Sequence, residues 1–326
     1  MSGHVLLVGG THGNEVNAPW LLRRWQQTGG PPLPAETSLA VTCAIGNPAA
    51  LAAGLRYLDR DLNRCFRHEL LGDPDLCELE VLRARELLNH YGPGGSEPQA
   101  VVIDLHSTTA AMGSSLVLYG RRPADLALAA ACQFRLGLPV YLHEGDPVES
   151  GFLISLWPCG LVLEVGPVAQ GVLCPHTLRR TELGVQTLLE LLQEAAAGQL
   201  RLPEQLRVHR HIANRDLPRS SDGTPRASVH PDRLRSDWLP IAAGDPLFLG
   251  PEGPIPLEEG TPGRLATLFA NEAAYGEKGI ALAVVEQLSL RCLSSWSEAL
   301  RDVLTGSLAS GTVASGTVAR SDHPPA

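Results

Sequence analysis

The sequence lacks the marks of a membrane, secreted or nucleic-acid-binding protein. No stretch reaches the roughly 20 consecutive apolar residues of a membrane span, and the N-terminus lacks the charged start and long apolar region of a secretory signal. The chain carries 26 Lys and Arg against 35 Asp and Glu, a formal net charge of −9. This balance argues against nonspecific binding to nucleic acid. We therefore expect a cytoplasmic protein with no membrane partner and no nucleic-acid partner.

Cysteine pairs at metal-binding spacing are also missing. The seven cysteines are scattered, and none belongs to a Cys-x-x-Cys pair. An odd number without such pairs favours neither a disulfide framework nor a zinc site made of thiolates. With 326 residues, of which 44% are hydrophobic, the chain is long enough for two domains and a sizeable core.

Strand and helix patterns alternate up to about residue 200, which is typical of an α/β domain with a mostly parallel sheet. Strands are predicted at 5–8, 39–45, 101–106, 115–119, 139–142 and 160–167, and helices at 16–27, 78–91, 123–136 and 175–200. From about residue 207, short strand-like runs are separated by Pro, Gly and Asp turns. We therefore predict an α/β domain over 1–205, a β-rich domain over 206–300 and a disordered, low-complexity tail over 301–326.

The loop of residues 9–15, Gly-Gly-Thr-His-Gly-Asn-Glu, lies between the first predicted strand and the first predicted helix. In open α/β sheets, ligands bind at the carboxyl ends of strands. The imidazole of His12 and the carboxylate of Glu15 suit zinc, which takes nitrogen and oxygen donors. The glycine spacing excludes the dinucleotide-binding fingerprint Gly-x-Gly-x-x-Gly. A lone His-x-x-Glu is common by chance, so a metal site needs a third ligand and a base.

Two later strands supply residues that fit these needs. His106 ends a predicted strand and so lies on the same rim as the His-x-x-Glu loop, which makes it the natural third ligand. Asp104 precedes it by two residues on the same strand face, where it can orient a ligand. Glu164 lies in an otherwise apolar strand, and a partly buried carboxylate beside a metal-bound water suits a general base. The alternatives are a core histidine at 106 and a structural ion pair at 164.

Two polar segments admit more than one interpretation. Residues 56–64 hold three arginines and an asparagine. They can bind a carboxylate because the guanidinium fork is bidentate, although a solvated loop with internal Asp-Arg pairs fits as well. Residues 271–278 form a polar insertion among the short strands, for which an exposed loop is the simplest interpretation.

Several motifs occur together, in the order that one family shows, between about residues 5 and 290. They lie at residues 10–15, 56–59, 61–64, 104–109, 164–167, 170–173, 244–246 and 271–275. A set of separate motifs in register is far more specific than any one of them. The chain therefore resembles the aspartoacylase family, within the zinc carboxypeptidase-like amidohydrolases.

This resemblance implies both a fold and a reaction. The fold is zinc carboxypeptidase-like: a mostly parallel mixed sheet with helices on both faces, plus a smaller β-rich C-terminal domain that covers the site. The reaction is zinc-dependent hydrolysis of the amide bond of a small molecule, an N-acyl amino acid. Because family members are commonly oligomeric, the resemblance also implies a homo-oligomer.

The resemblance assigns roles to single residues. One Zn²⁺ per subunit, with a position left for water, is bound by His12, Glu15 and His106. Glu164 takes the proton from that water and later delivers it to the leaving amine, while Arg56 stabilises the oxyanion on the amide carbonyl. The α-carboxylate of the substrate is held by Asn63, Arg64 and Tyr275. The same donors also accept Co²⁺ or Mn²⁺.

The substrate's side chain is less constrained, because one family arginine is missing. In aspartoacylases an arginine before the catalytic strand helps to bind the side-chain carboxylate, whereas a gapless alignment places Ile154 there. Lys278, which matches a family lysine, remains as a partner for that carboxylate. N-acetyl-L-aspartate is the first candidate substrate, and the N-acetyl aromatic amino acids of a sister group are the second.

Two other functions stay open. A metal site by itself also fits a carboxypeptidase that acts on peptides, although a C-terminal domain over the site argues against long substrates. A non-catalytic binding protein on the same fold is the second alternative, which an intact set of ligands, base and arginine disfavours.

Overall fold

A computed structural model describes residues 3–33, 37–144, 149–258 and 263–306. The strands are β1 (His4–Gly9), β2 (Ala40–Ile45), β3 (Val101–Ser107), β4 (Ser114–Tyr119), β5 (Val140–His143), β6 (Cys159–Val165), β7 (Gln205–Arg215), β8 (Ser228–Val229), β9 (Pro240–Ile241), β10 (Pro246–Gly250), β11 (Gly253–Pro256), β12 (Leu265–Leu268) and β13 (Leu282–Arg291). The α-helices are α1 (Asn17–Thr28), α2 (Pro48–Ala53), α3 (His68–Gly72), α4 (Leu79–Tyr91), α5 (Pro123–Leu136), α6 (Pro175–Ala196) and α7 (Ser294–Thr305). Short 3-10 helices lie at Leu62–Arg64, Leu153–Leu156, Pro231–Arg233 and Ala273–Lys278.

Ten strands of the described chain form one sheet in the order β2-β1-β3-β6-β4-β5-β7-β13-β12-β9. The first four strands in this order are mutually parallel, and β4 runs antiparallel to β6. Parallel neighbours need long crossover connections, and helices such as α1 and α4 provide them. The predicted α/β fold with a mostly parallel mixed sheet is confirmed.

Side-chain alternation along the strands divides the apolar core between the two faces of the sheet. On β1, Val5 and Leu7 belong to one core, Leu6 and Val8 belong to the other, and all four are fully buried. Helices α1, α5, α6 and α7 close the first core, and α4 closes the second. Helices thus cover both faces, as predicted.

The C-terminal part continues the main sheet instead of standing apart from it. Strand β7 pairs with β5 on one side and with the long β13 on the other, and β12 and β9 extend the sheet further. Strands β8, β10 and β11 form a separate three-stranded sheet. The sequence shows only short apolar runs in this part because few side chains of β7 are buried. Its predicted β-rich character is confirmed, and its two longest strands, β7 and β13, are longer than the short runs that the sequence indicates.

Helix α7 returns to the first part of the chain. Its Trp296 and Leu300 pack into the core that α5 and α6 close. The disordered tail predicted from residue 301 was therefore wrong for residues 301–305, since α7 continues to Thr305 and buries Val303 and Leu304. The rest of that predicted tail, residues 307–326, lies outside the described residues. Within the described ranges, no helix combines the length and the apolar character that crossing a membrane requires.

Candidate active site

Three side chains predicted to bind a metal converge at the carboxyl ends of β1 and β3. His12 and Glu15 come from the loop after β1, and His106 lies near the end of β3. The Nδ1 of His12 is 2.6 Å from Glu15 Oε1, and the Nδ1 of His106 is 3.1 Å from the Oε2 of the same carboxylate. One ligand atom from each residue lies within 4.8 Å of the others, and all three residues are buried. Two imidazoles and one carboxylate at this spacing form a donor set that fits zinc.

Close backbone contacts shape the loop that carries two of these residues. Gly10 has a left-handed φ of 73°, and Gly13 lies so close to α2 that a Cβ would collide with the backbone of Ala50. The amide of Gly13 donates to the carbonyl of Arg56 at 3.1 Å. Only glycine fits such positions without strain. The loop is thereby held between α2 and the segment that begins with Arg56.

Each histidine of the cluster has a carboxylate on its second ring nitrogen. His106 Nε2 lies 2.7 Å from Asp104 Oδ2, and Thr11 donates its hydroxyl to the other oxygen of Asp104 at 2.7 Å. His12 Nε2 lies 3.1 Å from Asp61 Oδ1. Carboxylates in this position fix the ring orientation and leave Nδ1 free to bind a metal. The orienting position of Asp104 matches the prediction, whereas sequence reasoning gave Asp61 no role.

Glu164 is on β6, directly opposite His106 in the β3–β6 register, and its side chain lines the cleft beside the cluster. Burial raises the pKa of this carboxyl to about 8; His106 opposes the rise, and the negative charge of Glu15 adds to it. Among the described residues, Glu164 makes no ion pair, so the structure does not support the alternative of a structural pair with arginine. A carboxyl with such a raised pKa takes up a proton readily near neutral pH.

Arg56 points its guanidinium at the same cluster. Its Nη1 is 3.4 Å from Glu15 Oε1, and its Nη2 is 3.6 Å from Asp61 Oδ2. Burial opposes the charged form, but the surrounding negative charges, led by these two carboxylates, more than compensate, and the pKa of Arg56 is raised. The Nε of Arg56 is buried with no hydrogen-bond partner among the described residues. A fixed cation therefore lines the cleft.

The three residues predicted to hold a carboxylate also line this cleft. Asn63 is buried and accepts a hydrogen bond from the amide of Leu153 at 2.8 Å. Arg64 lines the cleft as well, and its guanidinium carbon lies 4.5 Å above the ring of Phe152. Tyr275 reaches the cleft from the C-terminal part, so both parts of the chain build one site.

Two residues considered for the substrate's side chain lie elsewhere. Lys278 is absent from the described lining of the cleft and instead lies in an adjoining pocket, where its Nζ is 3.3 Å from Asp61 Oδ2. Ile154 is 1% exposed and belongs to the apolar core, so its side chain does not face the cleft. The structure thus brings together every predicted site residue except Lys278.

Glu272 is a cleft residue to which sequence reasoning assigned no role. Its carboxylate accepts hydrogen bonds from the hydroxyl of Thr108 and from the amides of Thr109 at 2.8 Å and Ala110 at 3.1 Å. These donors come shortly after His106 in the chain. The exposed loop considered for residues 271–278 is wrong at this point, since Glu272 is only 7% exposed. Its signal in the sequence was its place in the family motif at 271–275.

Comparisons with known proteins agree with this architecture. The family model described as the succinylglutamate desuccinylase/aspartoacylase catalytic domain matches residues 2–192, and that of the AstE/AspA barrel-sandwich hybrid domain matches residues 204–287. Among solved structures, murine aminoacylase 3 is 34% identical with a TM-score of 0.79, covering 89% of this chain and 97% of its own. The succinylglutamate desuccinylase of Chromobacterium violaceum, at 21% identity and a TM-score of 0.57, shows the fold alone.

Two relatives match over nearly their whole length. A protein of Prochlorococcus marinus (strain MIT 9313) named probable aspartoacylase is 51% identical over 305 residues, which cover 93% of this chain and 99% of the relative. A second probable aspartoacylase, from Synechococcus sp. (strain CC9605), is 50% identical over 303 residues, 93% of this chain and 98% of the relative. Together with the zinc carboxypeptidase-type fold, these matches show that the chain belongs to the succinylglutamate desuccinylase/aspartoacylase family.

Proposed function

We propose that this protein is a metal-dependent amidohydrolase that cleaves an N-acyl amino acid into a carboxylate and a free amino acid. The observation that carries the proposal is the convergence of His12, Glu15 and His106 beside Glu164, a half-buried glutamate with a raised pKa. This donor set, with each imidazole backed by a carboxylate, suits one Zn²⁺. Zinc held there would supply a Lewis acid and an activated water.

The remaining chemistry falls to side chains of the cleft. Glu164 accepts the proton of the attacking water as the C–O bond forms, and returns it to the nitrogen as the C–N bond breaks. Its raised pKa suits both halves of this exchange. Arg56 faces the negative charge that develops on the carbonyl oxygen, and a fixed cation there contributes roughly 3 kcal/mol to transition-state stabilisation.

The α-carboxylate of the substrate would be bound by other residues of the cleft lining. Arg64 offers a guanidinium whose orientation is fixed by stacking on Phe152. Asn63 and Tyr275 add polar groups beside it. Lys278, which was predicted to contact the substrate, would act here only through Asp61, because its ammonium group is 3.3 Å from that carboxylate and outside the cleft.

Two substrates are supported by different observations. N-acetyl-L-aspartate is the first candidate, since relatives at 51% and 50% identity are named probable aspartoacylases. N-acetyl aromatic amino acids are the second candidate. They are favoured by the burial of Ile154 where aspartoacylases have an arginine, and by the rings of Tyr119 and Phe269 in the cleft wall.

The other functions receive less support. The C-terminal part contributes Phe269, Glu272, Ala274 and Tyr275 to the lining of the cleft, and a wall on this side disfavours a long peptide substrate. A non-catalytic binding protein has no need of a glutamate held at a pKa of about 8. A homo-oligomer, a cytoplasmic location and the domain boundaries at 205 and 300 stay predictions.

Turnover of N-acetyl-L-aspartate and N-acetyl-L-phenylalanine by the zinc-loaded protein tests the proposal. We expect hydrolysis of at least one compound, with loss on addition of a chelator and recovery on return of zinc. Glu164→Gln should abolish turnover while zinc content stays at one ion per chain. Glu144→Gln is a matched control, since Glu144 pairs with the exposed Arg121 away from the cleft. Full activity of Glu164→Gln would remove this residue from the mechanism, and chelator-resistant turnover would remove the metal.

A further inference from the structure

Arg64 stands between two cavities. On one side it lines the catalytic cleft, and on the other it lines an outer pocket together with Lys278 and Glu149. Its side chain is 17% exposed, so its charge is largely shielded from water. The cation expected to bind a substrate carboxylate can therefore be reached from the outer pocket as well.

A carboxylate of the chain itself occupies the outer side of Arg64. The Oε2 of Glu149 is 2.6 Å from Arg64 Nη2, and the Glu149 side chain is 22% exposed. The Nη1 of Arg64 donates to the carbonyl of Asn63 at 2.8 Å, and Phe152 covers one face of the guanidinium. Only part of the guanidinium fork is left for a ligand.

The charge of Glu149 extends into the cleft. Burial raises the pKa of Tyr119, Arg64 opposes the rise, and Glu149 is among the charges that add to it. The pKa of Tyr275 is raised in the same way, again with Glu149 contributing. Both tyrosines line the cleft. A substrate carboxylate placed between them and Arg64 would meet the negative charge of Glu149 at short range.

Two neighbouring cations, Arg56 and Lys278, are not free to offset this charge, because each already faces a carboxylate of the chain. Arg56 pairs with Glu15 and Asp61, and Lys278 lies beside Asp61. A substrate with one carboxylate can use the free edge of Arg64. Arg56 and Arg64 are the cations in the described lining of the cleft, and both already face a carboxylate of the chain, so a second substrate carboxylate finds no unpaired cation there.

We propose that Glu149 is a specificity-determining residue. Its carboxylate occupies the position beside Arg64 that a second carboxylate of the substrate would take. The protein thereby favours N-acyl amino acids whose side chain is uncharged over those whose side chain is anionic. This inference rests on the proposed function, because it concerns which member of that substrate class enters the same site.

Glu149→Gln tests the inference, since it keeps the size of the side chain and removes its charge. We would compare kcat and KM for N-acetyl-L-aspartate and N-acetyl-L-asparagine, which have nearly the same shape and differ by one charge. The ratio of kcat/KM for the aspartate compound to that for the asparagine compound should rise about tenfold, mainly through a lower KM for the aspartate compound. Glu144→Gln, which removes a charge from a more exposed ion pair, should leave the ratio unchanged.

The outcomes separate this inference from the proposed function. Turnover with an unchanged or lower ratio in Glu149→Gln would overturn the role of Glu149 and keep the hydrolase. An equal loss for both compounds would also overturn it, since that result shows a residue that only positions Arg64. If wild type cleaves neither compound, calorimetric dissociation constants of the same two compounds replace kcat/KM. A tenfold shift in their ratio would then support the inference without the hydrolase, and an unchanged ratio or no binding would overturn it.

Discussion

Glu272 connects the C-terminal part of the chain to the loop beside the metal cluster. It is buried, and it accepts four hydrogen bonds, from the hydroxyl of Thr108 and from the amides of Thr109, Ala110 and Ala274. Glu272→Ala would leave the amides of Thr109 and Ala274 without an acceptor, whereas the amide of Ala110 keeps the hydroxyl oxygen of Thr108 at 3.0 Å. We expect a loss of stability and a weaker metal site, because the segment from Thr108 to Ala110 comes shortly after His106 in the chain.

The size of the effect follows from the contacts. A buried donor left without an acceptor costs roughly 1–3 kcal/mol. Two orphaned amides therefore imply a loss of about 2–6 kcal/mol in the free energy of unfolding, a large share of the ~5–15 kcal/mol that holds a protein folded. Glu272→Gln keeps an oxygen acceptor in place, so its cost should be about half as large, in line with the lower strength of uncharged hydrogen bonds.

Urea unfolding of the two variants and of wild type measures this difference. The free energies of unfolding are compared only if the slope of free energy against urea concentration is the same for all three proteins. Glu277→Ala is the matched control. Glu277 lies in the short helix that Glu272 caps and is exposed, and its carboxylate accepts a hydrogen bond from the hydroxyl of Tyr57 at 3.0 Å. It should change stability by less than about 1 kcal/mol. A Glu272→Ala protein that unfolds at the same urea concentration as the control would refute the connecting role of this carboxylate.

Three further predictions concern the cluster. Asp61→Asn should weaken zinc binding about 10- to 100-fold, because His12 loses the charged partner that orients it; an unchanged affinity in competition with a chelator would contradict this. Gly13→Ala should lower the free energy of unfolding by about 3 kcal/mol or more, since its Cβ would collide with the backbone of Ala50. A melting temperature equal to that of wild type would contradict this, because it would show that the loop can move to make room for the methyl group. Glu164 must be ionised to accept a proton, and a bound dication would lower its pKa from the value of about 8. The kcat/KM should therefore fall with decreasing pH, with a midpoint at or below pH 8, and a flat profile between about pH 5 and 9 would oppose the base role.

Much of the fold could be predicted from the sequence because its signals are local. The helix predicted at residues 123–136 matches α5 at both ends, and the strand predicted at 101–106 differs from β3 by one residue. Both follow from apolar periodicity bounded by Pro or Gly, which depends only on neighbouring residues. The prediction was less complete in the C-terminal part, because β7 and β13 pair along ten residues with few buried side chains to mark them.

The contacts of the site could be predicted only in part. His12 and His106 were expected on one rim because parallel strands bring their carboxyl ends together. The contact between Asp61 and His12 joins residues 49 positions apart, and that between Glu272 and Thr109 joins residues 163 positions apart. No local pattern encodes such pairs, so a polar residue that is buried after folding looks like a surface residue in the sequence.

By itself, the sequence determined which donors, base and cations the protein has and at which ends of strands they lie, because periodicity and side-chain chemistry are properties of short segments. The tertiary structure decided what each of these groups faces. It placed Lys278 against Asp61 instead of in the cleft, and Ile154 in the apolar core. It also gave Arg64 a carboxylate from 85 positions away. These outcomes depend on how distant segments fill the same space, because charge and burial act through distance in the folded chain and not through separation in the sequence.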